Sequence, residues 1–469
     1  MTALPDLTAT ELSRFYYDGS LSPVEVTQAV LARIEAWEPD LAATWALDAA
    51  AALDAARASE TRWRGGQACS PLDGVPVTIK ELIATRGVAK PVGSAASDLV
   101  PEPVDAPPAA RLREAGAVIL AKTTNPDFGM LSSGLSSFHK LSRNPWDLAK
   151  TPGGSSAGAG SAAAAGYGPL HLGTDIGGSI RLPAGWCGIF GFKPSNGRIP
   201  IDPPYIGRCA GPMTRTVEDA ALAMGVLSRP DWRDYMSLPP ATIAWDDLGL
   251  DLKGLRIGLM LDAGVGLPVE PEVAEAVAAA ARLFEMAGAV VEPFAPYLTR
   301  EMLDGLDLFW RTRSLNDLDA LGPERAERAL PYILAWARAA RGADGIAVYR
   351  GFNQIQRMRE AGAKAFQPFD FVISPTAPAP AFDAHLPSPT NDPARPFEHI
   401  GFTVAFNMTE QPAASINCGY TAEGLPIGLQ IVGRRFDDLG VLRLSRAYEL
   451  LRPSQRPWPR LDDEATATT

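Results

Sequence analysis

From Thr151 to Gly197 the chain is dense in Gly, Ser and Ala, and apolar blocks interrupt that density at Leu170–Leu172 and Ile189–Phe192. Composition of this kind, taken alone, describes a flexible linker, but linkers lack interleaved apolar blocks. The combination predicts a packed core in which small residues let one backbone approach another closely. The rest of the chain has to be built around that segment.

The flanks alternate between helix and strand signals. Thr8 and Glu11 have the spacing of a capping box, followed by Leu12, Phe15 and Tyr16 at helical intervals. Ser22 can cap a second helix, with Pro23 at its first position, Glu25 reaching back, and Val26, Val30, Ile34 and Trp37 on one face. An alanine-rich helix is expected over Ala42–Arg62. The turn Pro71–Pro76 leads into a strand, Val77–Ile79, that ends at Lys80. A helix at Ala109–Ala115 precedes the strand Val118–Ala121. Further strands are expected at Leu255–Leu259, Val290–Pro293, Phe371–Ile373 and Ile427–Val432. Helices are expected at Val273–Ala287, through 301–365 and at Leu439–Leu451, and the tail Asp462–Thr469 is expected to be disordered. Alternation of this kind implies an α/β fold with a largely parallel or mixed sheet. With no internal repeat, the 469 residues read as one large domain.

Charge and composition exclude several function classes. The net charge of −11 disfavours steering of nucleic acid by the whole chain. The N-terminus lacks a basic and apolar leader pattern, and no run of about 18 apolar residues occurs, so neither a signal peptide nor a membrane span is expected. Cys69, Cys187, Cys209 and Cys418 are scattered without a metal or redox spacing. They are expected to be buried small apolar residues in a reducing compartment, which points to the cytoplasm. The histidines, His139, His171, His385 and His399, form no zinc-ligand pattern, so no metal is expected.

Chemistry concentrates in the small-residue segment. Two Gly-Gly-Ser elements place serines at 155 and 179. Consecutive amides of Ile176, Gly177, Gly178 and Ser179 could converge on one point as an oxyanion hole, where donors stabilise charge that develops only in the transition state. A serine nucleophile needs a base. Nothing places a histidine beside Ser179, and no GxSxG elbow is present. Lys80 is the candidate base, because burial at the end of an apolar strand favours its neutral form. Each element alone also reads as a turn or a solvated strand end. A phosphate-binding loop is disfavoured, since neither GxxxxGK[ST] nor GxGxxG occurs.

Together these residues closely resemble the amidase signature family. The signature runs Gly153-Gly-Ser-Ser-Ala-Gly158, Gly173-Thr-Asp-Ile-Gly-Gly-Ser-Ile-Arg181, then Pro183-Ala-Gly-Trp-Cys-Gly-Ile-Phe-Gly-Phe-Lys-Pro194. Supporting blocks are Gly74–Lys80, Thr123–Gly129, Arg143–Asp147, Gly211–Asp219 and Gly424–Gly433, and the resemblance spans about residues 8–452. It implies a single α/β/α domain with a mixed central sheet of about eleven strands covered by helices. It also implies a Ser-cisSer-Lys triad without cofactor: Ser179 as nucleophile, Ser155 as bridge after a cis bond from Gly154, and Lys80 as base. Thr174, Asp175 and Arg181 would support the loop, with Asp175 pairing Arg181. Ala157 stands where a glycine is common.

The implied activity is hydrolysis of aryl or apolar amides, and of carbamates, by a stand-alone enzyme. The alternatives are an amidotransferase A-type subunit using glutamine-derived ammonia, and a non-catalytic binding module. Amidotransferase subunits of this family commonly carry Gln after the Arg of Gly-Gly-Ser-Ile-Arg, where this chain has Leu182. Candidate substrate contacts are Met130, Leu131, Ser132, Tyr205 and Ile206, with Trp310, Phe406 and Asn407 in the variable half. The loop Pro200–Pro212 is expected to form a wall or lid. The expected partners are a small-molecule amide or carbamate and a second copy in a homodimer, with neither nucleic acid nor membrane.

Overall fold

A computed structural model describes residues 3–461, so the tail expected to be disordered lies outside the described residues. Eleven strands form one mixed sheet. They are β1 (Thr44–Trp45), β2 (Pro76–Lys80), β3 (Val118–Thr123), β4 (Leu170–Asp175), β5 (Phe190–Lys193), β6 (Cys209–Thr214), β7 (Arg256–Leu259), β8 (Val290–Pro293), β9 (Phe371–Pro375), β10 (Ala413–Tyr420) and β11 (Pro426–Gly433). Their order is β1-β3-β2-β4-β6-β5-β10-β11-β9-β7-β8. Pairing is parallel for β3-β2-β4 and for β9-β7-β8, and antiparallel through the middle from β4 to β9. This is the single α/β domain that the signature implied.

Side chains alternate across a strand with period two. On β11, Leu429 and Ile431 therefore enter the main apolar cluster with Val277 and Phe284 of the helix Pro271–Met286 and Val441 of the helix Asp438–Leu451. Gln430, between them, faces the other way and meets Arg181. On that second face lie the small-residue helices Ala157–Ala165 and Arg181–Cys187, which contact each other. The helix Ala157–Ala165 is buried along its whole length. A methyl added to Gly158 would lie 2.0 Å from the Ala43 carbonyl oxygen and 2.5 Å from the Thr124 nitrogen, both rigid backbone. Gly158→Ala is expected to cost about 1–3 kcal/mol through overpacking, measured by urea unfolding.

Both capping boxes form as the spacing predicts, at Thr8/Glu11 and Ser22/Glu25. The alanine-rich helix starts later than expected, at Ala49, because the Asp48 carboxylate accepts the Ala51 amide and sets the cap there. The residues before it supply β1, which pairs with β3. The helical stretch after residue 300 is broken into Arg300–Leu321, Pro323–Ala326, Pro331–Arg338 and Gly345–Phe366, with prolines opening the two middle pieces. The expected loop to Pro212 ends sooner, since Cys209–Pro212 belong to β6 and pair with β4. Cys69 is exposed, unlike the expected buried thiol, while Cys187 and Cys209 are buried. Among the described residues no helix is long and apolar enough to cross a membrane.

Candidate active site

Lys80 ends β2 in the parallel part of the sheet, and β2 is buried at all five positions because β3 and β4 flank it. The Lys80 Nζ donates to Ser155 Oγ at 2.8 Å and to Ser156 Oγ at 3.1 Å. Burial is the main force pushing this ammonium well below the usual lysine range. The nearby Arg208 charge pushes the same way, and Asp175 and Glu81 oppose. Glu81 is itself engaged by the Gly93 amide at 2.6 Å and by His139. Ser156, which the sequence did not single out, is a junction. Its hydroxyl donates to the Thr174 carbonyl at 3.1 Å and accepts the Thr174 amide at 3.2 Å, tying the Lys80 contact to β4.

The Gly154–Ser155 peptide bond is cis. The Ser156 amide donates to the Ser179 carbonyl at 3.1 Å, so the two Gly-Gly-Ser elements lie side by side. Ser179 is partly exposed, whereas Ser155 and Lys80 are buried. No direct hydrogen bond joins the Ser155 and Ser179 hydroxyls among the described residues.

The turn carrying Ser179 is held from below by Asp175. Its carboxylate accepts the Gly178 amide at 2.8 Å and the Ile180 amide at 3.1 Å, and pairs with the Arg181 guanidinium through two contacts at 2.9 and 3.0 Å. Burial alone would raise this carboxyl, but Arg181, joined by the Lys193 charge and the Asn407 hydrogen bond, offsets it and the group lies below the usual carboxylate range. Arg181 is fully buried and also donates to the Thr403 carbonyl, Gln430 and Asn407. The Gly178 amide, expected in the oxyanion hole, is thus already committed to Asp175. The amides of Ile176, Gly177 and Ser179 have no partner among the described residues. Thr403 Oγ1 donates to the Gly177 carbonyl at 2.6 Å, which fixes how that peptide unit points.

The predicted substrate contacts divide. Met130, Ile176, Ile206 and Trp310 share one apolar cluster with Phe128 and Ile400. A methyl on Gly177 would lie 3.4 Å from Ile400 and 3.5 Å from Trp310, so this cluster borders the Ser179 turn. Tyr205 reaches it through Arg313, whose guanidinium sits 4.8 Å from the Tyr205 ring centroid. Ser132 is half-buried next to Leu131, whose carbonyl packs against Gly154. Phe406 does not join this cluster. It packs in a different cluster with Phe294 and Phe402. Asn407 is a brace rather than a wall: its amide donates to Asp175 at 2.9 Å and to the Gly207 carbonyl at 3.0 Å. Arg208, Arg313 and Thr403 had no sequence signal beyond the regular spacing of Thr403 and Asn407 on one helix.

A mixed α/β sheet thus carries a buried lysine against one serine, beside a second serine on a turn with amides free among the described residues. The Amidase family model matches residues 25–442, and the chain belongs to that family of amide-hydrolysing enzymes. The A subunit of the glutamyl-tRNA(Gln) amidotransferase of Myxococcus xanthus is 37% identical, covering 95% of this chain and 97% of its own length. Its counterpart from Chloroflexus aggregans is 35% identical over 96% and 97%. Among solved structures, a bacterial aryl acylamidase of the amidase signature enzymes matches with a TM-score of 0.88 at 28% identity, covering 96% of each chain. A 6-aminohexanoate cyclic dimer hydrolase matches with a TM-score of 0.86 at 25% identity, covering 98% of this chain and 100% of its own.

Proposed function

We propose that the chain hydrolyses carboxylic amides at Ser179 through an acyl-enzyme, with Ser155 and Lys80 as the proton relay. The supporting observation is the 2.8 Å contact from buried Lys80 to Ser155. Neutral Lys80 accepts the Ser155 proton as Ser155 takes the proton of Ser179. Ser179 Oγ bonds to the carbonyl carbon, and the amides of Ile176, Gly177 and Ser179 hold the oxyanion. The relay then returns a proton to the leaving nitrogen, the C–N bond breaks, and the amine departs. Water attacks the ester through the same relay and releases the acid. Thr174, Asp175 and Arg181 hold the turn in place.

Two substrate readings follow. The apolar cluster of Phe128, Met130, Ile206, Trp310 and Ile400, which borders the Ser179 turn, supports a stand-alone enzyme for aryl or apolar amides and carbamates. The amidotransferase relatives, at 34–37% identity over nearly the whole chain, support a glutamine-hydrolysing component that passes ammonia to a partner. By sequence similarity the second reading is the stronger; by the apolar character of the cluster beside the Ser179 turn the first is. Product release from aryl amides, aliphatic amides, an aryl carbamate and glutamine, measured for wild type and Ser179→Ala, separates them. Aryl amide or carbamate turnover by the isolated chain, lost in the variant, supports the stand-alone enzyme. Turnover of glutamine alone, and only with a second protein component present, supports the other.

The pH profile carries a further expectation. Lys80 acts as a base only when neutral, so kcat/KM for an uncharged amide should rise with pH along a limb set by its deprotonation. Burial, aided by the Arg208 charge, places that limb below the ordinary lysine range. Arg208→Gln removes a like charge, raises the lysine pKa and moves the limb to higher pH. A limb that stays in place, or moves to lower pH, would show that Lys80 is not the titrating base.

A further inference from the structure

We propose that Arg313 and Arg208 form a subsite for a carboxylate borne by the substrate a few bonds from the scissile carbonyl. This deepens, and rests on, the reading of Ser179 as an amide-cleaving nucleophile. Two guanidiniums lie beside the site, and neither is in an ion pair among the described residues. Arg208 donates to the carbonyls of Pro203 at 3.0 Å and Leu82 at 3.4 Å. Arg313 reaches the Met130 sulfur at 3.3 Å and lies over the Tyr205 ring, while its buried Nε has no partner. Buried guanidinium donors are ordinarily satisfied, and an arginine without a counterion beside a cavity is costly unless something occupies it.

The cavity is present. It has a volume of about 200 Å³ and is lined by Arg313, Leu82, Val92, Phe128, Leu318 and Ile333, among others. Leu82 connects it to the chemistry. A methyl on Gly129, next to Phe128, would lie 2.6 Å from Leu82 and 3.4 Å from Ser155 Oγ. A ligand with its anionic end at Arg313 would run along Leu82 and Phe128 toward Ser155 and the Ser179 turn beside it. At about 30 Å³ per water, the space takes a carboxylate with a short aliphatic chain and excludes a macromolecule.

The surrounding charge fits an anion. Burial lowers Arg208 to about 10, and repulsion from Arg313 adds to this, with Asp202 opposing. Asp317 lines the cavity but is exposed to solvent. An incoming carboxylate can accept charge-assisted bonds from a planar fork, a geometry that arginine offers and lysine does not.

The test uses glutaric acid mono-4-nitroanilide against its methyl ester, which has nearly the same shape without the charge. Wild type should favour the free acid in kcat/KM by tenfold or more. Arg313→Gln and Arg208→Gln should each reduce that ratio severalfold, mainly through KM, and Arg313→Lys should restore part of it. A second measurement needs no turnover: calorimetry of glutarate with Ser179→Ala protein should show one saturable site, weakened tenfold or more by Arg313→Gln and by added salt. If glutarate binds in this way but neither anilide is cleaved, the carboxylate subsite stands and the hydrolytic reading falls. If both anilides are cleaved equally and glutarate does not bind, the subsite is overturned and the hydrolytic reading stands.

Discussion

Lys80→Met should lower kcat by about 10²–10⁴-fold, the range in which a positioned general base contributes. Methionine fills the same buried channel without a titrating nitrogen, so the loss reports chemistry rather than packing. The Lys80 Nζ holds two hydroxyls at once, Ser155 at 2.8 Å and Ser156 at 3.1 Å. Removing it takes away the proton acceptor and releases Ser155 from its orientation. Groups that act as one relay are strongly non-additive. The double variant Lys80→Met/Ser179→Ala should therefore be no slower than Ser179→Ala alone. Steady-state rates on any amide that wild type turns over test this. Full activity in Lys80→Met, or multiplicative losses in the double variant, would remove lysine from the relay.

The second large effect is on stability. Asp175→Asn should destabilise the fold by about 3–5 kcal/mol, the cost of leaving one member of a buried ion pair alone. Both side chains of the pair are fully buried, and Arg181 would remain charged with only neutral acceptors at Thr403, Gln430 and Asn407. Arg181→Lys should not rescue stability, because a single ammonium cannot reach partners set by a guanidinium fork. Urea unfolding of the three proteins measures this. Activity should fall with stability in Asp175→Asn, since the same carboxylate fixes the Gly178 and Ile180 amides that shape the Ser179 turn.

What the sequence made legible was set by how local each determinant is. The caps at Thr8 and Ser22 use partners three residues away, and both form. The Gly-Gly-Ser elements are readable because one contiguous signature, Gly153–Pro194, carries them, and Lys80 because it ends a separate block, Gly74–Lys80, 75 residues before Ser155. The Asp175–Arg181 pair was readable at six residues' separation. Arg313 was not, since its contact with Met130 spans 183 residues and depends on how a helix of the variable half packs onto the core. The bond from Asn407 to Asp175 spans 232 residues, and sequence reading cast Asn407 as a pocket residue because its role exists only after β4 and the helix Gly401–Met408 meet. The Gly178 amide was misassigned for a subtler reason. Consecutive amides on one turn look equivalent in sequence, and only the carboxylate beneath them distinguishes the one already bonded.

The segment from Ile201 to Gly207, whose Ile206 joins the apolar cluster beside the Ser179 turn, is fastened at both ends by side chains from elsewhere. The Ile201 amide is bonded to Asp234 at 3.0 Å, and the Gly207 carbonyl is bonded to Asn407 at 3.0 Å. Between these two rivets, Asp202 to Ile206 form a short cassette whose ends are located by contacts outside it. The pins at Asp234 and Asn407 thus set where Pro203 and Tyr205 stand, and with them the two arginines they touch, Arg208 and Arg313.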